Sequence, residues 1–197
     1  MIKSCKKCRR EGVKLLLKGE RCLSTKCAIV KRPYAPGDHG QGMRNKMSEY
    51  GKQLREKQKA RKIYGMNEGQ FKNYVMKANT MIGNKTENIM RLLETRLDNV
   101  VARLGYVASR STAKQLVTHG LFKVNDRRVK TPSYIVKAGD IISPVRPSMF
   151  KEVALNSALS WLEADSKNLT AKIKHLPTRE EIDTPINENL IIEYYSR

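Results

Sequence analysis

The sequence predicts an α+β chain: a helical, strongly basic N-terminal domain with a four-cysteine metal knuckle, followed by a small module of helices packed on an antiparallel sheet. Three observations lead there. All four cysteines fall within the first 27 residues. Apolar residues recur at helical spacing between positions 89 and 104. Residues 109–129, SRSTAKQLVTHGLFKVNDRRV, read as a short helix, a glycine stop, a strand, a tight turn and a second strand.

Taken in order, residues 28–46 (AIVKRPYAPGDHGQGMRNK) hold two prolines and three glycines, so this stretch is expected to be irregular but pinned. From Ser48 to Tyr64 the pattern turns helical and highly charged, stopping at Gly65; Leu54 and Ile63 give it few apolar contacts, so it needs a partner. A helix is expected from the Asn67 cap, with Gln70 three residues on, packing through Phe71, Tyr74 and Val75. Thr86 is expected to cap the next stretch, where Ile89, Leu92, Leu93, Leu97, Val100, Val101 and Leu104 share one face. Thr95 followed by Asp98 allows a break into two helices, and Gly105 ends either version.

Ser109 caps the next helix, whose stripe is Ala113, Leu116 and Val117, and Gly120 stands at its left-handed end. Phe122 and Val124 alternate with Lys123 as a half-buried strand requires. Residues 138–140 form a turn before a strand at Ile141 and Ile142, and residues 148–156 have room for a short helix. Strands are expected at 161–163 and 169–176 around the polar turn 165–168. The last segment, LPTREEIDTPINENLIIEYYSR, opens on a Thr178 cap that places Glu180, Glu181 and Asp183 in a first helical turn, and its apolar-aromatic end should dock. The expected division is residues 1–46 for knuckle and basic loop, 47–94 for the helical remainder with 150–197 packing back on it, and 95–149 for the sheet module.

Charge sets the class of partner. The chain carries 39 Lys and Arg against 19 Asp and Glu, a formal +20. Solubility needs a net charge of only about 2 to 8 on a small domain, so the excess asks for a polyanion. Nucleic acid is the first choice and an anionic membrane surface the second. No apolar run approaches the roughly 18 to 20 residues of a spanning helix, and the amino end lacks the apolar core of a signal peptide. A cytoplasmic protein is expected, where disulfides are disfavoured. Residues 1–62 hold 19 basic and 5 acidic side chains, which makes this third the electrostatic arm.

Cys5, Cys8, Cys22 and Cys27 form the pattern C-x2-C-x13-C-x4-C. Two short-spaced pairs separated by a loop suit a tetrahedral thiolate site in a stretch too polar to build its own core. Structural zinc is the expected metal and an iron–sulfur cluster the alternative. Lys6, Lys7, Arg9 and Arg10 beside the first pair would offset the charge of a tetrathiolate. Four cysteines leave no open coordination position, and His39, His119 and His175 are scattered with no recognised catalytic motif around them. No enzyme and no small-molecule substrate are expected.

These motifs resemble one family almost end to end, the bacterial small-subunit ribosomal protein S-four. The resemblance rests on the RPYAPGDHGQ loop, the RLDNVVARLGYVASRSTAKQLVTHGLFKVNDRRV block, the PSYIVKAGDII region and the terminal LPTREEIDTPINENLIIEYYSR. The block alone marks the S-four-type RNA-binding module, which also occurs in pseudouridine synthases and tyrosyl-tRNA synthetases. Departures are an Asn125-Asp126 turn where the family often has Asn-Gly, Ala35 where proline is common, and the four cysteines, which many relatives lack. The resemblance implies a primary rRNA-binding protein that binds the 5′ domain of small-subunit rRNA, nucleates assembly of the subunit body and contributes to translational accuracy. It implies a place in the cytoplasmic ribosome beside the fifth small-subunit protein and near mRNA where it enters the subunit. An RNA-modifying or ribosome-rescue factor built on the same module is the alternative. The expected RNA-binding residues are Arg9, Arg10, Lys31, Arg32, Tyr34, Arg44, Lys46, Arg55, Arg61 and Lys62 in the arm, with Arg110, Lys114, Gln115, His119, Lys123, Arg127 and Arg128 in the module.

Overall fold

The computed structural model describes residues 4–41, 47–150, 155–156 and 159–196. The chain divides into two compact units, Met1–Val75 with Pro185–Arg197, and Met76–Thr184. The carboxyl-terminal stretch 150–197 therefore does not act as one piece, since only its last part belongs with the N-terminal unit.

In the first unit α1 (Ser4–Glu11), α2 (Glu20–Leu23) and α3 (Ala28–Lys31) are short, and α4 (Glu49–Ile63) is the longest helix. Ser48 caps α4 by accepting from the Gly51 backbone N–H at 3.2 Å. The buried positions of α4 are Gln53, Lys57, Ala60 and Ile63, a stripe at helical spacing that is half polar. Such a stripe needs polar partners, and it finds them in two other helices. They are α5 (Glu68–Thr80), which starts at the Asn67 cap and buries Phe71 and Val75, and the terminal helix α9 (Glu188–Tyr195). Gln53 donates to Glu193 at 2.9 Å, and Lys57 donates to Glu68 at 2.7 Å while lying 4.5 Å over the Tyr194 ring. The Tyr195 hydroxyl donates to the same Glu68 oxygen at 2.9 Å. The aromatic end of the chain docks, as its composition required.

The second unit opens with α6 (Lys85–Glu94) and α7 (Leu97–Arg103), separated at Thr95 and Arg96. The cap of α6 is Asn84 rather than Thr86: the Asn84 side-chain Oδ1 accepts from both the backbone N–H and the hydroxyl of Thr86. The residue that looked like the cap is instead held by it. Helix α8 (Arg110–Thr118) is capped by Ser109 and closed by Gly120 at φ 68°. Then come β1 (Phe122–Val124), β2 (Arg127–Val129), β3 (Ile141–Pro144), β4 (Leu162–Asp165) and β5 (Thr170–Ile173), in one antiparallel sheet of order β2-β1-β3-β5-β4.

Asn125 and Asp126 both adopt positive φ, 49° and 62°, as the tight turn between right-twisted strands demands. Asn125 tolerates it because its side chain is fixed, donating to Asp140 at 2.7 Å and accepting from the Ile141 N–H at 2.9 Å. Between β3 and β4 a 3-10 turn covers Pro147–Phe150, and residues 151–154 of the helix expected over 148–156 lie outside the described residues. The helix expected after Thr178 is absent. Thr178, through its backbone N–H and hydroxyl, donates to Glu181, so this carboxylate closes a local turn. The core of the unit gathers Leu97, Val100, Leu104 and Tyr106 with Phe122, Ile142, Trp161 and Ile173.

Glu68 makes the first unit acid-sensitive. Burial by itself would raise its carboxyl pKa, but hydrogen bonds from Lys57 and Tyr195, with the charges of Lys57 and Arg61, outweigh burial and hold it below the ordinary value. A depressed carboxylate stabilises the fold above its unfolded pKa and loses that contribution as pH falls through the lowered one. Acid titration followed by tyrosine near-ultraviolet circular dichroism should show α9 loosening below about pH 4.5. Glu68→Gln should remove that pH-dependent step.

Candidate nucleic-acid interface

The four cysteines converge. Cys5 and Cys8 sit one turn apart on α1, Cys22 lies in α2 and Cys27 caps α3. They are free thiols lining one cavity of about 10 Å³ with Leu17, Lys18 and Ile29, roughly the space of one water-sized sphere. The Lys18 N–H donates to the Cys22 sulfur at 3.3 Å. Burial pushes the Cys8 thiol pKa up and the neighbouring Cys22, Cys5 and Cys27 push the same way, against a hydrogen bond from the Leu15 backbone. As arranged, no three His, Cys, Asp or Glu side chains among the described residues form a ready metal-binding group. The thiols share a cavity rather than a closed coordination sphere.

Around this cluster the expected RNA-binding residues separate by what they touch. Arg9 is engaged with the protein: Nε donates to the Tyr34 carbonyl at 2.9 Å, Nη2 to Ala35 at 3.3 Å, and the guanidinium stands 4.8 Å from the Tyr34 ring. It pins the proline–glycine loop to α1. Arg55 and Lys62 both pair with Glu11, whose side chain is 1% exposed, and Arg61 pairs with Glu68. Arg10, Lys31 and Arg32 are exposed. Arg44 and Lys46 lie outside the described residues.

In the second unit the cations stand on α8 and on the β1–β2 hairpin. Ala113 and Val117 turn inward, which leaves Lys114, Gln115 and His119 exposed. Lys123 lies directly opposite Arg128 across the two strands, a like-charged pair that costs stability in isolation. Arg128 relieves it by reaching back to the end of α8, donating to the carbonyls of Gly120 at 2.6 Å and His119 at 3.0 Å. Cations suit those carbonyls because the helix dipole is negative there. Arg127 is exposed beside it. The hairpin and the helix thus present one basic surface.

Arg110 is held from beneath by a buried network. Its Nε donates to Asn99 Oδ1 at 2.6 Å, and Asn99 Nδ2 donates to Glu94 Oε2 at 2.7 Å. Glu94, 1% exposed, also takes a two-pronged grip from Arg103, Nε to Oε2 and Nη2 to Oε1, each at 3.0 Å. Thr184 donates to the same carboxylate and Asp183 pairs with Arg103. Asp183 was expected to complement a helix start; it is an ion-pair partner because no helix forms there.

Comparison with known proteins places both parts of the chain in one family. Residues 2–94 match the model described as "Ribosomal protein S4/S9 N-terminal domain", and residues 95–142 match the S4 domain. Small ribosomal subunit protein uS4 of Ruminiclostridium cellulolyticum is 54% identical, covering 98% of this chain and 97% of that protein. The protein of the same name from Clostridioides difficile is 55% identical with the same coverage. The chain belongs to the S4 ribosomal protein family.

For this S4 family member, sequence reasoning named only some of the exposed cations: Lys14, Lys18, Lys26 and Lys130 are exposed outside its RNA-binding set, and it gave Lys6 and Lys7 only a charge-offsetting place beside the cysteines. It also missed Asn99 and Glu94, whose place inside an apolar periodic stretch was the available signal. Removing Glu94 strands Arg103 and Asn99 in the interior. Glu94→Ala should destabilise the second unit by about 3–5 kcal/mol, the usual result of leaving a buried ionic partner uncompensated; chemical denaturation measures it.

Proposed function

We propose that this chain is a structural, non-enzymatic constituent of the small ribosomal subunit. It binds the 5′ domain of small-subunit rRNA, nucleates assembly of the subunit body and contributes to translational accuracy, in the cytoplasmic ribosome. The near-full-length identity to proteins named small ribosomal subunit protein uS4 carries this reading. The fifth small-subunit protein as neighbour, and mRNA where it enters the subunit, follow from the family resemblance. No helix among the described residues is long and apolar enough to cross a membrane.

The chemistry of both basic surfaces supports the reading. Structured RNA is recognised mainly through phosphates and 2′-hydroxyls, since side chains cannot read its deep, narrow major groove. Arg10, Lys31 and Arg32 in the arm, and Lys114, Gln115, His119, Lys123 and Arg127 in the module, present cations and hydrogen-bonding groups outward. Arg110 and Arg128 are oriented by their protein partners. Arg9, Arg55, Arg61 and Lys62 act chiefly by shaping the arm, and Arg44 and Lys46 extend the arm's basic run.

The donor set of the cysteine cavity supports structural zinc. Four thiols with no carboxylate among them form a soft donor set, with an iron–sulfur cluster as the alternative. Cys5, Cys8, Cys22 and Cys27 would hold it as thiolates, tying α1, α2 and α3 together where apolar packing is thin.

Three outcomes test this function. With six to ten phosphate contacts, affinity for 5′-domain RNA should fall about 10³- to 10⁵-fold between 50 and 200 mM salt, read by filter binding; a flat titration overturns the phosphate-dominated interface. Stripping metal with a strong zinc chelator should make residues 4–41 protease-sensitive while the α8–hairpin module stays resistant. An arm that stays protected overturns the structural metal. Co-sedimentation with small subunits separates the ribosomal reading from an RNA-modifying or rescue factor, which would sediment elsewhere.

A further inference from the structure

Helix α1 has two working faces. At 100° per residue, Cys5 and Cys8 project to one side and Lys6, Lys7 and Arg10 to the other. The first side faces the thiol cavity. The second lines a separate pocket of about 480 Å³, completed by Pro36, Arg61, Lys62, Gly65 and Met66. That volume lies within the roughly 300–1,000 Å³ of small-molecule sites and far exceeds what one phosphate needs.

The lining is amphipathic. Met66 is buried and Pro36 half-buried, which gives the pocket apolar surface. Gly65, at φ 61°, contributes no side chain, and a Cβ there would meet nothing within 4 Å, so space is left open beside Met66. Five cations surround this surface. Arg61 and Lys62 are held in place by Glu68 and Glu11, while Lys6, Lys7 and Arg10 have no ion-pair partner among the described residues. Cations braced by carboxylates beside cations left unneutralised make a site with surplus positive charge around an apolar base.

We propose that this pocket seats one unpaired RNA nucleotide, its flanking phosphates on Lys6, Lys7 and Arg10 and its base against Pro36 and Met66. A paired nucleotide keeps its base in the stack and offers phosphates alone, leaving the apolar surface and most of the volume unused. A bulged nucleotide supplies both chemistries at once, which is how proteins commonly recognise RNA outside its helices. Methionine adapts to whichever base arrives, so the site accepts a nucleotide without demanding a sequence. The proposal rests on the RNA-binding function above and adds to it a preference for a structural feature of the RNA.

The test uses the full chain and two RNA stems of equal length, one fully paired and one with a single bulged 2-aminopurine. At fixed salt the bulged stem should bind about tenfold more tightly, a difference of about 1.4 kcal/mol, and its fluorescence should change on binding. The combined variant K6A/K7A/R10A should weaken both complexes through lost charge and erase the difference between them. K123A/R127A should weaken both and keep the difference. As an independent reading, the Met66 methyl resonance should shift with the bulged stem and stay still with the paired one. Equal, salt-sensitive affinity for the two stems overturns the nucleotide seat and leaves RNA binding standing, whereas binding to neither overturns RNA binding itself. A short acidic peptide that shifts Met66 while the bulged stem does not would assign the pocket to a protein partner and also overturn the proposal.

Discussion

A chain with 39 cations and 19 anions folds only if a few carboxylates are placed where they neutralise several cations each. Glu11 and Glu68 do this, and Glu94 and Asp98 each hold one arginine in the interior. Glu11, almost fully buried, receives Arg55 and Lys62; Glu68 receives Lys57, Arg61 and the Tyr195 hydroxyl. Glu94 receives Arg103 and Asn99, and Asp98 receives Arg96 through two bonds at 3.0 and 2.7 Å. Burying such groups costs desolvation, so their net stabilisation is modest, but each is costly to break. Their larger effect is on arrangement, because they convert repelling cations into cross-links and leave the remainder facing outward.

The same logic explains why α4 is stable with so little apolar surface. Its buried stripe includes Gln53 and Lys57, which would be liabilities in an ordinary core. Glu193 takes the Gln53 amide N–H, and Glu68 with the Tyr194 ring takes the Lys57 ammonium. The terminal helix is thereby a structural part of the basic arm, although more than a hundred residues separate the partners in sequence. In the sheet module the like-charged Lys123–Arg128 pair is tolerated because the α8 carbonyls take up the Arg128 guanidinium. A surface built for a polyanion carries such costs until its partner arrives.

Much of the local structure was legible in the sequence. Asn67 and Ser109 cap the helices they appeared to cap, α4 begins at Ser48 where the helical pattern began, and the Asn125-Asp126 turn and Gly120 stop stand where the pattern put them. Two readings failed for one reason. Thr86 and Thr178 both have the chemistry of a helix cap, but a neighbour competes for the bonds: Asn84 takes the cap at α6, and Glu181 folds back on Thr178 in place of a helix. Of the interface, residue type identified the cations but could not separate Arg9, which pins a loop, from Arg10 one position on, which faces solvent and the pocket.

The sequence by itself determined the family, the class of partner, the order of elements from α4 to β5 and the cysteines that belong together, because caps, periodicity, turn chemistry and net charge act over a few residues or over the whole composition. Tertiary structure alone decided which cations are neutralised and which remain available. It also decided that the two faces of α1 serve different cavities, and that Asn99 and Glu94 hold Arg110. Those outcomes depend on partners distant in the chain, as between Gln53 and Glu193 or Arg103 and Asp183. An ion pair forms where the fold brings charge to charge, and no local pattern encodes that meeting.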